Sequence, residues 1–128
     1  MNGLHILAEF HHCAGSGQLL TSAEALALLC RETCRAAGLT PVAEAFHQFQ
    51  GATAEGGATG AIVLAESHLA IHTWPEMDGV TLDLYVCNFS QDNRAAAEQV
   101  FAALCREFLP RDITRRDIVR GQLSPIGE

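Results

Sequence analysis

The stretch from Ala65 to Glu76 concentrates residues whose types and spacing could do chemistry. Ser67 follows a glutamate, and histidines come one and five positions after the serine. The same stretch holds the only tryptophan of the chain, Trp74, and ends in a Pro-Glu pair. A hydroxyl flanked by imidazoles is suited to nucleophilic or acid–base chemistry. We therefore take this stretch as the candidate functional segment.

The spacing of Ser67, His68 and His72 leaves four interpretations open. A hydrolase with Ser67 as nucleophile is disfavoured, because the Gly-x-Ser-x-Gly turn and the helix after it are missing. A metal site through His68 and His72 is possible, since alternate residues of a strand share one face, but no third ligand is evident. Ser67 could instead be modified by the chain itself. The simplest alternative is that both histidines are hydrogen-bonded residues of a half-buried strand.

The other histidines and cysteines do not form a metal-binding motif. His11, His12 and Cys13 are adjacent, so their side chains alternate between the two faces of a strand, and no Cys-x2-Cys or His-x3-His partner follows. We therefore expect no metal site. The five cysteines are odd in number and lack a Cys-x2-Cys pair, which favours reduced thiols over disulfides. Cys30 and Cys34, one helical turn apart, are expected to be buried packing residues.

Length and charge exclude several classes of protein. A chain of 128 residues is one small domain, 1–128, with room for a single core. Its net charge of −7 argues against a nucleic-acid partner, which usually requires a basic face, and is compatible with a cationic small-molecule substrate through electrostatic steering. No apolar run is long enough to cross a bilayer, and the N-terminus lacks the basic segment followed by an apolar one that marks a signal peptide. We therefore expect a cytoplasmic protein without a membrane partner.

Hydrophobic periodicity predicts two amphipathic helices and several strands. The first helix should begin at an N-cap Thr21, with Glu24 as capping-box partner, and end near Ala37 before Gly38. Its predicted apolar stripe comprises four residues: Ala25, Leu28, Leu29 and Ala36. The second should be capped by Asp92 and stopped by Pro110. Its predicted stripe comprises five residues: Ala97, Val100, Phe101, Leu104 and Phe108.

The strands lie around these helices. The segments Gly3–Cys13, Val80–Cys87 and Asp112–Gln122 have strand character, whereas Gln50–Gly60 is rich in Gly, Ala and Thr and predicts a flexible loop. We predict an α+β fold in two layers, of order βαβββαβ, with a mostly antiparallel sheet and both helices on one face. The other face must also be covered, which favours a homodimer.

The residues of the candidate segment closely resemble a known motif. Glu-Ser-His-Leu-Ala-Ile-His-Thr-Trp-Pro-Glu, residues 66–76, is similar to the self-cleavage motif of the prokaryotic S-adenosylmethionine decarboxylases. The resemblance extends over nearly the whole chain. Its flanking parts are Gly3-Leu4-His5-Ile6-Leu7-Ala8-Glu9-Phe10 ending at Cys13, Phe46-His47-Gln48-Phe49, Leu82-Asp83-Leu84-Tyr85-Val86-Cys87 and Arg120-Gly121.

The resemblance implies a proenzyme that cuts itself between Glu66 and Ser67. The products would be a chain of residues 1–66 and a chain of residues 67–128 that begins with a pyruvoyl group made from Ser67. This group would form a Schiff base with the amine of the substrate and act as the electron sink for decarboxylation. No external cofactor would be needed.

The resemblance also implies roles for single residues in processing and turnover. His72 matches the base of the elimination step, for which an imidazole is suited near neutral pH. Thr59 matches a serine whose hydroxyl stabilises the cyclic intermediate, and its β-branch makes that hydroxyl stiffer. Cys87 matches the acid that returns a proton to the product. Glu66 is the residue before the cut.

Four residues resemble the substrate-binding side of the family. Glu76 matches a carboxylate that binds the ribose, and His68 belongs to the same surroundings. Trp74 and Phe49 resemble aromatic residues near the adenine or the sulfonium, where stacking and cation–π attraction help. Trp74 taken alone could equally be a core residue, and Cys87 a packing residue.

The activity implied is decarboxylation of S-adenosylmethionine, which supplies the aminopropyl donor for spermidine synthesis. The chain departs from the family pattern at Thr59, in the longer proline-free segment Gln50–Gly57, at Met77-Asp78 and at Asn88. Two alternatives are therefore kept. One is a pyruvoyl-dependent arginine or ornithine decarboxylase on the same fold, and the other is a processing-dead homologue with a regulatory or binding role.

Overall fold

Six strands form one antiparallel sheet in the computed structural model, which describes residues 2–15, 17–51, 55–89 and 91–127. The strands are β1 (Gly3–Cys13), β2 (Pro41–Gln50), β3 (Glu55–Leu64), β4 (Ser67–Trp74), β5 (Gly79–Cys87) and β6 (Pro110–Arg120). Their spatial order is β2-β3-β4-β5-β1-β6. The strand that begins at Ser67 therefore lies in the interior of the sheet, between β3 and β5.

The helices pack on one face of this sheet. They are α1 (Gly17–Thr21), α2 (Ala23–Ala36) and α3 (Arg94–Phe108), and a 3-10 turn spans Pro75–Met77. The helix α2 packs on β2 and β3, whereas α3 packs on β1 and β5. The α+β class and the antiparallel sheet are confirmed. Four strands lie between α2 and α3, one more than in the predicted order βαβββαβ, and the short helix α1 is an addition.

Alternation of side chains separates the two faces of the sheet. Along β5, Val80, Leu82, Leu84 and Val86 are buried beneath the helices, and the residues between them are only half-buried. The strand β4 alternates in the same way, with Leu69 and Ile71 in the core. We call the side away from the helices the open face. It carries His68, His72 and Trp74 of the candidate segment.

The start of α2 differs from the prediction by one residue. Ser22, not Thr21, is the N-cap, because its hydroxyl accepts a hydrogen bond from the Ala25 N–H at 3.1 Å. Thr21 instead ends α1, where its hydroxyl donates to the Gly17 carbonyl. The end of α2 is as predicted, since Gly38 has a φ of +86°, a conformation that favours glycine.

The buried side of α2 also differs from the predicted stripe. The buried residues of α2 are Leu26, Ala27, Cys30, Thr33 and Cys34. Leu28, which was assigned to the core, is 53% exposed. The predicted burial of Cys30 and Cys34 is confirmed. Removal from water raises the pKa of both thiols, that of Cys34 to about 12, so neither is a reactive thiolate at neutral pH.

The second amphipathic helix, α3, follows its predicted stripe. All five predicted residues are buried: Ala97, Val100, Phe101, Leu104 and Phe108. The helix begins at Arg94 with Asn93 in the cap position, and Asp92 accepts a hydrogen bond from the Arg94 N–H at 3.0 Å. The last strand begins at Pro110, two residues earlier than predicted, directly after Leu109.

The segment predicted as a loop over Gln50–Gly60 is largely a strand. From Glu55 onward it pairs with β2, and Gly60 lies under the Phe46 ring where a β-carbon would come within 2.1 Å of it. The glycines therefore allow close contact between strands rather than flexibility. Residues 52–54 lie outside the described part. No helix in the described ranges is long and apolar enough to span a bilayer.

Replacing Ser22 by alanine should lower the free energy of unfolding by about 1 kcal/mol, because the first turn of α2 loses its cap. Thr21→Ala is the matched control, and we expect it to cost less, since the Thr21 hydroxyl only donates to an exposed carbonyl. Urea unfolding of the two variants measures the difference. A larger loss for Thr21→Ala would mean that Thr21 is the true cap.

Candidate active site

The connection between β3 and β4 is a two-residue turn, Ala65-Glu66, closed by pairing of Leu64 with Ser67. Hairpin turns of this length usually have positive φ at one or both turn residues, which explains their preference for glycine and asparagine. Neither Ala65 nor Glu66 has a positive φ. Ser67 has one instead, at +153°, in a region that is strained for any residue with a β-carbon.

Hydrogen bonds hold the peptide between Glu66 and Ser67 on both sides. The Cys87 main-chain N–H donates to the Glu66 carbonyl oxygen at 2.8 Å. The Glu66 carboxylate accepts from the N–H and the hydroxyl of Thr40, at 2.9 and 3.1 Å. The Ala65 N–H donates to the Thr40 carbonyl at 2.9 Å. The carbonyl carbon of Glu66 is therefore fixed next to Ser67 and polarised by an N–H donor.

Cys87 lies at the same end of the sheet as this turn. Ser67 pairs with Val86, so Cys87 is the next residue along β5. Its side chain is half-buried and free of any disulfide, and it lies on the open face with Asp83 and Tyr85. It is thus unlike Cys30 and Cys34, which are buried in the core.

His68, the residue after Ser67, belongs to a hydrogen-bonded group on the open face. Its Nε2 lies 2.6 Å from the Asp83 Oδ1, and the Nε2 of His5 lies 2.9 Å from the same oxygen. Burial raises the pKa of the Asp83 carboxyl, but the hydrogen bonds and charges of the two histidines outweigh it, so the net shift is downward. Asp83 is therefore ionised at neutral pH.

His72 has a different partner. Its Nδ1 makes a short hydrogen bond with the Thr59 hydroxyl, and the two residues face each other across β3 and β4. The hydroxyl and the imidazole are thus hydrogen-bonded to each other across two adjacent strands. Since His68 and His72 are four residues apart along β4, about 13 Å, one metal ion cannot bind both, and that interpretation is wrong.

The Thr59–His72 pair lines a cleft of about 380 Å³. The other residues of its wall include three predicted substrate-binding residues, Phe49, Trp74 and Glu76. Trp74 is 41% exposed, which excludes the core interpretation, and its indole N–H donates to the Thr81 hydroxyl at 3.2 Å. The cleft thus combines a carboxylate, two aromatic rings and an imidazole, which suits a cationic ligand with an aromatic part.

The sheet divides the predicted residues into two groups. The first, at the turn, comprises Glu66, Ser67, His68 and Cys87. The second, at the cleft, comprises Phe49, Thr59, His72, Trp74 and Glu76. Ser67 and His72 are five residues apart on one regular strand, which is about 16 Å. A single chain therefore does not bring the predicted base to the predicted nucleophile.

Three further site residues were missed by the sequence analysis. His5 and Asp83 partner His68, and Gln48 holds the wall of the cleft. The Gln48 amide donates to the carbonyls of Gly56 and Gly57 at 3.2 Å and accepts from the Ala23 N–H at 2.6 Å. His5 and Asp83 were within the segments that resemble the family, but only strand pairing brings them to His68.

Comparison with known proteins agrees with the motif. A family model described as S-adenosylmethionine decarboxylase matches residues 4–121. An S-adenosylmethionine decarboxylase proenzyme of Thermoplasma volcanium is 36% identical over 126 residues, which cover 98% of this chain and 88% of the relative. The proenzyme of the same description from Acidithiobacillus ferrooxidans is 33% identical over 125 residues, covering 98% of this chain and 86% of the relative.

A solved structure is also similar to the chain. The crystal structure of the adenosylmethionine decarboxylase from Aquifex aeolicus VF5 superposes with a TM-score of 0.82 at 29% identity, covering 98% of this chain and 96% of that one. Sequence, family model and fold thus agree over almost the full length. The chain belongs to the S-adenosylmethionine decarboxylase family, as the residues around Ser67 predicted.

Proposed function

We propose that this chain is a proenzyme that cuts itself between Glu66 and Ser67 and then decarboxylates S-adenosylmethionine. The observation that carries the proposal is the state of the scissile peptide. Its carbonyl accepts a hydrogen bond from the Cys87 N–H, and its serine has a strained φ of +153°. The names of the relatives, all decarboxylase proenzymes of this substrate, support the same conclusion.

The cleavage begins at Ser67. Attack of its hydroxyl on the Glu66 carbonyl carbon forms a C–O bond and breaks the C–N bond, which gives an ester and frees the Ser67 amine. The negative charge that develops on the Glu66 oxygen is stabilised by the Cys87 N–H. Release of strain at Ser67 favours the same step, because rearrangement frees the residue from its imposed φ.

The ester then breaks by β-elimination. A base removes the Cα proton of Ser67, and the Glu66 carboxylate leaves as the new C-terminus of chain 1–66. Dehydroalanine remains at the start of chain 67–128, and water replaces its nitrogen, which departs as ammonia and leaves a pyruvoyl group. His72 is the base, and Thr59, hydrogen-bonded to its Nδ1, orients the ring and stabilises the cyclic intermediate.

His72 acts on Ser67 of a second copy of the chain, because the two residues of one chain are about 16 Å apart on a straight strand. The open face carries His68 and Cys87 near the turn and Thr59, His72 and Trp74 at the cleft, and the helices pack on the opposite face. A homodimer that joins two open faces about a two-fold axis would place each cleft over the turn of its partner. Such an arrangement also covers the half-exposed apolar residues of this face.

The cleft supplies the substrate-binding residues. Phe49 and Trp74 present exposed rings for the adenine and the sulfonium, and Glu76 provides a carboxylate for the ribose hydroxyls. The half-buried Cys87 thiol is the acid that returns a proton after carbon dioxide leaves. His68, fixed by Asp83 beside Ser67, binds the reacting end of the substrate.

A pyruvoyl group at position 67 would lie next to the Cys87 main-chain N–H, which in the uncut chain donates to the Glu66 carbonyl. It would supply the electron sink for decarboxylation, so no external cofactor is required. The product is the aminopropyl donor for spermidine synthesis. All five cysteines are unpaired, which is compatible with a reducing cytoplasmic location.

The intact mass of the purified protein tests the first part of the proposal. We expect two chains, 1–66 and 67–128. The second should be lighter than a chain that begins with an intact serine by the mass of one ammonia, which is lost when the pyruvoyl group forms. A single uncut chain after prolonged incubation would contradict self-cleavage and would favour the processing-dead alternative.

The same preparation then tests the substrate. Release of labelled carbon dioxide from S-adenosylmethionine should greatly exceed release from arginine or ornithine. Glu76→Gln should raise KM more than it lowers kcat, because it weakens binding of a group remote from the reacting carbon. Activity only on an amino acid would overturn the assignment of the substrate while leaving self-cleavage intact.

The strain at Ser67 predicts different stabilities for two variants that cannot cleave themselves. Ser67→Ala and Ser67→Gly both lack the hydroxyl and should remain single chains. Ser67→Gly should be the more stable by about 1 kcal/mol, because glycine adopts the observed φ without steric cost. Ala70→Gly in the Ser67→Ala background is the control. Because Ala70 lies in a regular strand, its replacement by glycine should lower the free energy of unfolding. Urea unfolding decides, and equal stability of the first two would remove the strain argument.

Action of His72 between two copies predicts complementation. His72→Ala alone should cleave very slowly. Co-expressed with Ser67→Ala, which retains His72 but cannot be cut, the His72→Ala chain should be cleaved in the mixed dimer. Differently tagged chains and mass spectrometry identify which one is cut. Co-expression with the double variant Ser67→Ala/His72→Ala is the control and should give no rescue. Mixed dimers that stay uncut would show that His72 does not act across the interface.

A further inference from the structure

We propose that His5, His68 and Asp83 form a binding site for a divalent transition-metal ion, of the zinc, cobalt or nickel class, on the open face beside Ser67. One potential ligand atom from each side chain lies within 4.8 Å of the other two. The proposal rests on this geometry and is independent of decarboxylation.

The three residues come from three neighbouring strands. Since β4, β5 and β1 are adjacent in the sheet, His68, Asp83 and His5 are supplied by a backbone that strand pairing already holds. Tyr85 of β5 pairs with His5 on β1 and with His68 on β4. Asp83 lies two residues before Tyr85 and on the same face of the sheet. A site built on paired strands loses little conformational entropy when it binds an ion.

The distances suit a tetrahedral ion after a small adjustment. The two Nε2 atoms lie 2.9 and 2.6 Å from the Asp83 oxygen. A zinc ion with ligands at about 2.0–2.1 Å separates neighbouring ligand atoms by about 3.3 Å. The group must therefore open by less than about 1 Å, which rotation of the two imidazoles and the carboxylate can supply.

The chemistry of the ligands selects the type of ion. Two imidazoles and one carboxylate suit zinc, cobalt and nickel, whereas magnesium and calcium prefer a shell made only of oxygen atoms. The side chains of His5, His68 and Asp83 are 14%, 34% and 31% exposed, which leaves room for a water as fourth ligand.

Arg120 opposes metal binding, and its removal therefore provides a further test of the site. Its Nη1 donates to the Nδ1 of His5 at 3.3 Å, and its guanidinium lies over the Tyr85 ring at 4.4 Å. A His5 that binds metal through Nε2 must carry its proton on Nδ1, where the guanidinium now donates. The charge of Arg120 also repels the ion. Removing that charge should therefore strengthen metal binding. If the three residues formed only a hydrogen-bonded network, removing the charge would not increase the affinity for metal.

An ion at this site would hold His68 through its Nε2. Because His68 directly follows Ser67, metal binding would withdraw from the substrate a residue to which the proposed function gives a binding role. We therefore expect zinc to inhibit decarboxylation and a chelator to restore it. This consequence depends on the proposed function, but the binding itself does not.

Cobalt titration of the purified full chain tests the site. Visible absorption reports tetrahedral coordination, and calorimetry gives the affinity. Asp83→Asn and His5→Gln should each weaken binding at least tenfold, and Arg120→Gln should strengthen it several-fold. His12→Gln, which removes an exposed histidine outside the group, is the matched control and should leave the affinity unchanged.

The outcomes separate this site from the proposed function. Binding that Asp83→Asn and His5→Gln leave unaffected, or binding that His12→Gln abolishes, would overturn the site. If Asp83→Asn does not fold, His5→Gln decides alone. Weaker binding in Arg120→Gln would also count against the proposed coordination. A parent chain that binds cobalt through these residues but releases no carbon dioxide would retain the site and refute the function.

Discussion

The hydrogen bond from the Cys87 main-chain N–H to the Glu66 carbonyl is the contact on which the rest of the site depends. It joins the end of β5 to the turn that enters β4, and it holds the carbonyl that the Ser67 hydroxyl attacks in the proposed cleavage. Thr40 binds the same turn through its main chain and its hydroxyl. A single main-chain contact thus polarises the Glu66 carbonyl and places Cys87 next to the turn.

The turn itself explains the unusual backbone conformation of Ser67. A two-residue hairpin of Ala65 and Glu66 lacks the glycine or asparagine that usually accepts positive φ, so the unfavourable dihedral falls on Ser67. Strain is tolerated because β4 is paired with a strand on each side, which fixes its backbone. The sheet therefore holds at one peptide the strain that the proposed cleavage would release.

The candidate site residues lie in two separate places. The turn and the adjoining end of β5 carry the Ser67 hydroxyl, the Glu66 carbonyl and the Cys87 thiol, and the cleft carries an imidazole–hydroxyl pair and aromatic rings. A straight strand keeps these groups apart by its length alone. The proposed homodimer would resolve this separation by bringing the cleft of one copy to the turn of the other.

The sequence by itself determined the family, the α+β class and the strip of buried residues on α3, because each of these follows from local order along the chain. It misjudged the cap at Ser22 and the strand from Glu55, where hydroxyl geometry and pairing with β2 overrode local propensity. Only tertiary structure decided that His5 and Asp83 join His68. That relation depends on pairing between strands that are far apart along the chain, which the residues of one strand do not specify.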